Sequence, residues 1–187
     1  MIRIVLLICS LLIALPAAAT EAGWALLRQG GHVVLISHAA APGAGDPANF
    51  DIEDCRTQRN LSEQGRLQAR KMGALLAARA APVTRVLSSR YCRALDTARQ
   101  AFDADIIEPW PALDSLANNE DAERERSAEV IGFVNSYTGS NNVVLVTHQD
   151  NITALTGVRP RDGEAVIVGP KPEGEDGLAV LGRIIFR

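Results

Sequence analysis

Three short apolar runs, His32–Ile36, Val83–Leu87 and Val143–Thr147, are rich in Val, Ile and Leu and show little alternation. A strand with one wet face alternates, whereas a continuous run is expected where both faces are covered. Between these runs the period changes. Leu61, Gly65, Ala69, Met72, Leu75 and Leu76 recur at helical steps and form one apolar stripe. Asn60 followed by Glu63 reads as a capping pair at the start of that helix. Ala94, Leu95, Ala98, Ala101 and Phe102 mark a second helix, with Ser88 or Ser89 as its cap. A third is predicted over Glu120–Tyr137, and further strands over Ala165–Val168 and Leu178–Phe186. Ala39–Arg59 and Lys171–Gly177, rich in Pro, Gly and acidic residues, are expected loops. Strands alternating with helices predict an α/β three-layer sandwich, a mostly parallel central sheet with helices on both faces.

The N-terminal apolar run has a different character. Arg3 precedes Ile4–Leu15, Pro16 breaks the run, and Ala17-Ala18-Ala19 supplies small residues for cleavage. This is the pattern of a secretory signal peptide over residues 1–19. The run falls short of the ~20 residues of a membrane span, although an uncleaved anchor is the alternative. Ile8 stands where a lipoprotein signal needs a small residue before Cys9. Residues 20–187 then form one periplasmic or secreted domain, with no stable membrane anchor after cleavage.

Composition narrows the partners. A formal net charge of −3 gives no basic footprint for nucleic acid, and 4% aromatics argues against a base-stacking platform. Of three cysteines, Cys9 leaves with the leader; Cys55 and Cys92 remain as an even pair in an oxidising compartment. A Cys55–Cys92 disulfide is expected, with two buried thiols as the alternative. Oligomeric state carries no signal.

In an open parallel sheet, ligands bind beyond the carboxyl ends of the strands. Ser37 and His38 come after the first run, Ser88-Ser89-Arg90-Tyr91-Cys92-Arg93 after the second, and Thr147-His148 after the third. Two histidines, arginines in a first helical turn and helix N-termini in one cleft suit a phosphoryl group. His32 lies at the far end of its strand and takes no role. No H-x-H or H-x-x-x-H pair is present, so neither a metal nor another cofactor is predicted. Gly43-Ala44-Gly45-Asp46-Pro47-Ala48 matches a dinucleotide fingerprint formally, but no amphipathic helix comes after it.

Four blocks in order, VVLISHA, RNLSEQGRLQAR, VLSSRYCRALDTA and VVLVTHQDNITALTG, resemble the histidine phosphatase superfamily, whose fold is phosphoglycerate-mutase-like. The DCRTQRNLSE and SSRYCR segments resemble its exported branch, which includes the lipopolysaccharide core heptose-phosphate phosphatases. The resemblance implies an exported phosphomonoesterase acting on a small phosphorylated substrate, a sugar phosphate or similar ester. It implies that His38 attacks phosphorus to form phosphohistidine, and that Arg93 and His148 hold the phosphoryl oxygens. Arg59 and Asn60 stand where the family brings further polar contacts.

One position departs from the family. Ser37 stands where an arginine normally precedes the nucleophile, and its loss costs about 2–4 kcal/mol of transition-state stabilisation. Serine retains one hydrogen bond, and Arg56, Arg59 and Arg90 are the candidates to supply the charge. A catalytically degenerate phosphate-binding protein is therefore the alternative function. Glu164 is the first candidate for the general acid, then Asp150 and Asp114; Asp150 reads equally as a helix N-cap.

Overall fold

A computed structural model describes residues 15–116 and 120–186; residues 1–14 of the expected leader lie outside it. The elements are helices α1 (Leu15–Gln29), α2 (Glu63–Ala78), α3 (Cys92–Ala101), α4 (Glu120–Ser136) and α5 (Gln149–Thr156), and strands β1 (Val33–Ser37), β2 (Val83–Ser88), β3 (Ile107–Pro109), β4 (Asn142–Thr147), β5 (Ala165–Pro170) and β6 (Leu178–Ile184). They form one six-stranded sheet in the order β3-β2-β4-β1-β5-β6. β1, β2, β3 and β4 run parallel, and β5 lies antiparallel to both β1 and β6. The expected α/β sandwich, mostly parallel, is the fold that forms.

The continuous apolar runs are strands covered twice. Every residue of β1 and β4 is buried. Val34, Ile36, Val86, Val144 and Val146 face Trp24, Leu27, Met72, Leu76, Ala94 and Ala98, which places α1, α2 and α3 on one face. Val33, Leu35, Leu145 and Val166 face Val130, Val134, Ile152 and Leu155 of α4 and α5 on the other. The register pairs Ser37 with Thr147 and Ser88 with Val146, so β1, β4 and β2 end level and present their next residues at one edge.

Local details differ from the sequence reading. The N-cap of α2 is Ser62, whose Oγ accepts from Gly65 N at 3.0 Å. Asn60 instead donates to the carbonyls of Cys55 and Gln58, so the capping pair is not formed. α3 starts at Cys92 with Tyr91 at the N-cap and no side-chain cap; Ser89, two residues earlier, bonds Asp114 and His148 instead. α1, α5 and β3 are not among the elements that periodicity marks. α5 is one eight-residue piece with polar residues at most positions, and β3 has three residues.

Gly65 sets the seat of α2. A Cβ there would lie 2.2 Å from the carbonyl oxygen of Ala40, so only glycine lets the helix approach the chain just beyond His38. Cys55 and Cys92 are joined as a disulfide with Cα atoms 5.7 Å apart. It ties the long loop after β1 to the first turn of α3. Gln58 reinforces the tie, accepting from Cys92 N at 2.9 Å. Among the described residues no helix is long and apolar enough to cross a membrane.

Candidate active site

His38 is held by its own backbone. Its N–H donates to Thr147 O at 2.9 Å and its carbonyl accepts from Gly163 N at 3.0 Å. Nδ1 lies 2.8 Å from the carbonyl oxygen of Ala39. A carbonyl only accepts, so Nδ1 carries the hydrogen and Nε2 keeps a free lone pair. The residue is 4% exposed. Burial is the main cause that lowers its pKa to about 4; the Ala39 carbonyl opposes this, and Arg93 and Arg59 add to it. His38 is therefore a neutral, oriented imidazole at pH 7.

Arg93 projects from the first turn of α3 and is almost wholly buried. Its Nη1 donates to Asp46 Oδ1 at 2.8 Å, and the guanidinium lies over the Tyr91 ring at 4.6 Å. Its Nε is buried with no partner. His148, at the N-terminus of α5, packs edge-to-face against His38 with ring centroids 5.4 Å apart. Its Nε2 lies 2.9 Å from Ser89 Oγ, while Nδ1 is buried without a partner. Burial first, then the charge of Arg93, holds its pKa well below the ordinary imidazole range.

Arg59 enters from the loop side. Its Nη1 donates to Ala41 O, and its Nε is also buried without a partner. Its backbone N–H donates to Asp46 Oδ1 at 3.1 Å, so one carboxylate braces both arginines. His38, Arg59, Arg93, His148 and Asp150 line one cavity of about 310 Å³. A second cavity of about 640 Å³ lies beside it, walled by Phe50, Tyr91, Leu116, Glu123 and, again, Asp150.

The other candidates sit elsewhere. Ser37 is fully buried at the end of β1, with its Oγ unpartnered, and does not line the cavity. Of the arginines considered as substitutes, Arg56 pairs with Asp54 in solvent and Arg90 pairs with Asp114 at 2.6 Å, which leaves Arg59 as the one reaching the cavity. Asn60 braces the loop. Glu164 is 1% exposed; its carboxylate accepts from Arg183 Nε at 2.7 Å and Arg161 N at 2.8 Å, and it does not line the cavity. Asp150 is not the cap of α5, since His148 occupies that position. Ser89, which the second strand end places at this edge, also enters the site, as do Asp46 and Asp162, which nothing in periodicity or spacing marks. Their partners are remote in sequence. No group of three His, Cys, Asp or Glu side chains poised for a metal ion occurs among the described residues.

Known proteins share this arrangement of strands and helices. The family model of the histidine phosphatase superfamily (branch 1) matches residues 52–120. The fold is similar to a protein histidine phosphatase, SixA, complexed with tungstate (TM-score 0.55, 19% identity, covering 79% of this chain and 93% of that one). It is similar to a putative alpha-ribazole-5'-P phosphatase from Escherichia coli (TM-score 0.55, 17% identity, 81% and 95% covered). It is also similar to phosphoglycerate mutase from Thermus thermophilus (TM-score 0.52, 17% identity, 83% and 99% covered). No curated protein matches the sequence. The chain thus carries the histidine phosphatase fold, and its residues 52–120 match that superfamily's branch 1.

Proposed function

We propose that the chain is an exported phosphomonoesterase that works through a phosphohistidine on His38. The observation that carries this reading is a set of buried atoms with no partner, Arg59 Nε, Arg93 Nε and His148 Nδ1, on residues that share a cavity with the free Nε2 of His38. Buried polar atoms are normally bonded, and each orphan calls for an explanation. A tetrahedral oxyanion supplies acceptors for several of them at once.

The chemistry runs in two displacements. His38 Nε2 attacks phosphorus and the ester P–O bond breaks; the leaving oxygen takes a proton from a carboxylic acid. Water then attacks the phosphohistidine, the N–P bond breaks, and the carboxylate takes the water's proton. Arg93, Arg59 and His148 meet the charge that develops on the equatorial oxygens. Asp150 is the acid in this scheme because it lines both cavities, at the boundary between the phosphoryl group and its leaving group. Glu164, bonded to Arg183, takes a structural part and pins the end of β1 through its carbonyl. The larger cavity, with its aromatic wall and carboxylates, suits a small sugar phosphate or similar ester. The disulfide is compatible with an oxidising compartment, periplasmic or secreted.

One feature favours a second reading, a phosphate-ligand-binding protein without turnover. Ser37 brings no charge, and Asp46 already occupies Arg93 Nη1. Phosphate release from p-nitrophenyl phosphate and sugar phosphates separates the two. Turnover is expected in the wild type, with ³²P retained on protein during a quench, and His38→Ala should lower kcat/KM by roughly 10⁴-fold. Wild-type inactivity with tight vanadate binding would sink the enzyme reading and support the binder. Turnover unaffected by His38→Ala would overturn the nucleophile.

A further inference from the structure

The hydroxyl of Ser89 carries one proton and has two acceptors within reach. Asp114 Oδ1 lies at 3.1 Å and His148 Nε2 at 2.9 Å. The Tyr91 N–H points at the same oxygen from 3.2 Å and occupies one of its lone pairs. All three side chains are buried, Ser89 at 0%, Asp114 at 2% and His148 at 3% exposure, so water does not substitute for any of these bonds. Asp114 is further held by Arg90, which donates its backbone N–H to Oδ1 at 2.8 Å and its Nε and Nη2 to Oδ2.

The direction of the hydroxyl fixes the tautomer of His148. A neutral imidazole has one N–H. When Ser89 donates to Asp114, Nε2 must carry the hydrogen and donate to Ser89, and Nδ1 is a bare lone pair. When Ser89 donates to His148, Nε2 is the acceptor and Nδ1 carries the hydrogen. Nδ1 is the nitrogen without a partner, and it is the one His148 has left for a phosphoryl oxygen. A lone pair there repels that oxygen, while an N–H binds it. In the free protein the ionised carboxylate draws the hydroxyl more strongly than a neutral nitrogen does.

We infer that Ser89 is a positioning residue that switches His148 between an Nε2–H form in the free protein and an Nδ1–H form when an oxyanion is bound. The inference rests on the phosphate-site reading above. The ring's proton count is unchanged: one proton leaves Nε2 for solvent and another arrives from solvent at Nδ1. The oxyanion selects the second form from the equilibrium between them. Asp114 keeps its three bonds from Arg90 in both states, which lets it release the hydroxyl.

The test is the imidazole ¹⁵N spectrum of the whole protein labelled at histidine, free and with vanadate. Nε2–H for His148 without vanadate and Nδ1–H with it are expected. Asp114→Ala removes the competing acceptor and should place His148 in the Nδ1–H form before any ligand is added. Ser89→Ala should weaken vanadate binding roughly 10–100-fold. If either variant fails to fold, the wild-type spectra alone decide. Vanadate binding with an unchanged His148 tautomer, or Nδ1–H already present in the free wild type, overturns the switch and leaves the phosphate site standing. No vanadate binding overturns both.

Discussion

A histidine directly follows β1 because the strand delivers it, neutral and oriented, to the edge where three parallel strands stop together. Its depressed pKa has two consequences. With His38 as the proposed nucleophile, the acidic limb of kcat/KM should fall near pH 4 rather than near 6.5, since protonation removes the Nε2 lone pair. The unfolded chain takes up a proton at this site below about 6.5 and the folded chain only below about 4, so stability present above 6.5 is lost as pH falls through that window. Going from pH 7 to pH 5 should cost about 2 kcal/mol through His38 alone. Urea unfolding of wild type and His38→Asn checks this; an equal loss in both would place the acid sensitivity elsewhere. Arg59 is the second residue to test. It lines the cavity beside Arg93 and Arg159 while Ser37 brings no charge, so Arg59→Ala should lower kcat/KM by roughly 10²–10³-fold. An effect below about tenfold would mean that the other groups lining the cavity, Arg93, His148 and Arg159, carry the oxyanion without it. His38, Arg93 and His148 were legible because strand ends show in a sequence. Asp46 and the Ser89–Asp114 contact were not, because each joins residues that only the fold brings together.

Among elements, the loop between β1 and α2 behaves as part of the site rather than as a connector. It supplies Asp46, Phe50 and Arg59, and is fastened to α3 by the Cys55–Cys92 disulfide and by Gln58. The cysteine count made that bond readable; the side of the cavity it would brace was not. Closing a loop of this size contributes about 3–4 kcal/mol to stability in the chain-entropy view. Cys55→Ser should therefore lower stability by that order and also raise KM, because Arg59 and Asp46 lose their anchor. Denaturant unfolding and steady-state kinetics on the same samples check both, and a stability loss with unchanged KM would show that the loop holds its shape without the bond. α5 shows the limit of periodicity. Its eight residues were too few and too polar to announce a helix, yet it sets His148 and Asp150.

At the scale of the molecule, the alternation of strand and helix was enough for the sandwich, since continuous apolar strands require cover on both faces. It was not enough for α1, whose apolar residues merge in the sequence with those of the expected leader. That merging raises a physical question about processing. α1 begins at Leu15, ahead of the expected cleavage after Ala19, and its contacts with the sheet come from residues beyond Thr20. Trp24 and Leu27 join the core, the carbonyl of Leu27 accepts from Asn142 Nδ2 at 2.7 Å, and the Cα of Gly23 sits against β6, where a Cβ would lie 2.9 Å from Ile184. Cleavage after Ala19 would leave all of these in the mature chain, so the expected export and the fold place compatible demands on the same segment. Protein recovered from the periplasm should begin at Thr20 by intact mass, and a chain retaining residues 1–19 would replace the signal peptide with an anchor. In the mature chain Trp24→Ala should cost about 3–5 kcal/mol, the range for deleting a large aromatic from a packed core. Trp24 also carries the Arg79 guanidinium at 5.1 Å and an edge contact with Phe186, so its loss frees both ends of the chain from the sheet. An unfolding midpoint that does not move on Trp24→Ala would mean that α1 is dispensable and that the domain begins at β1.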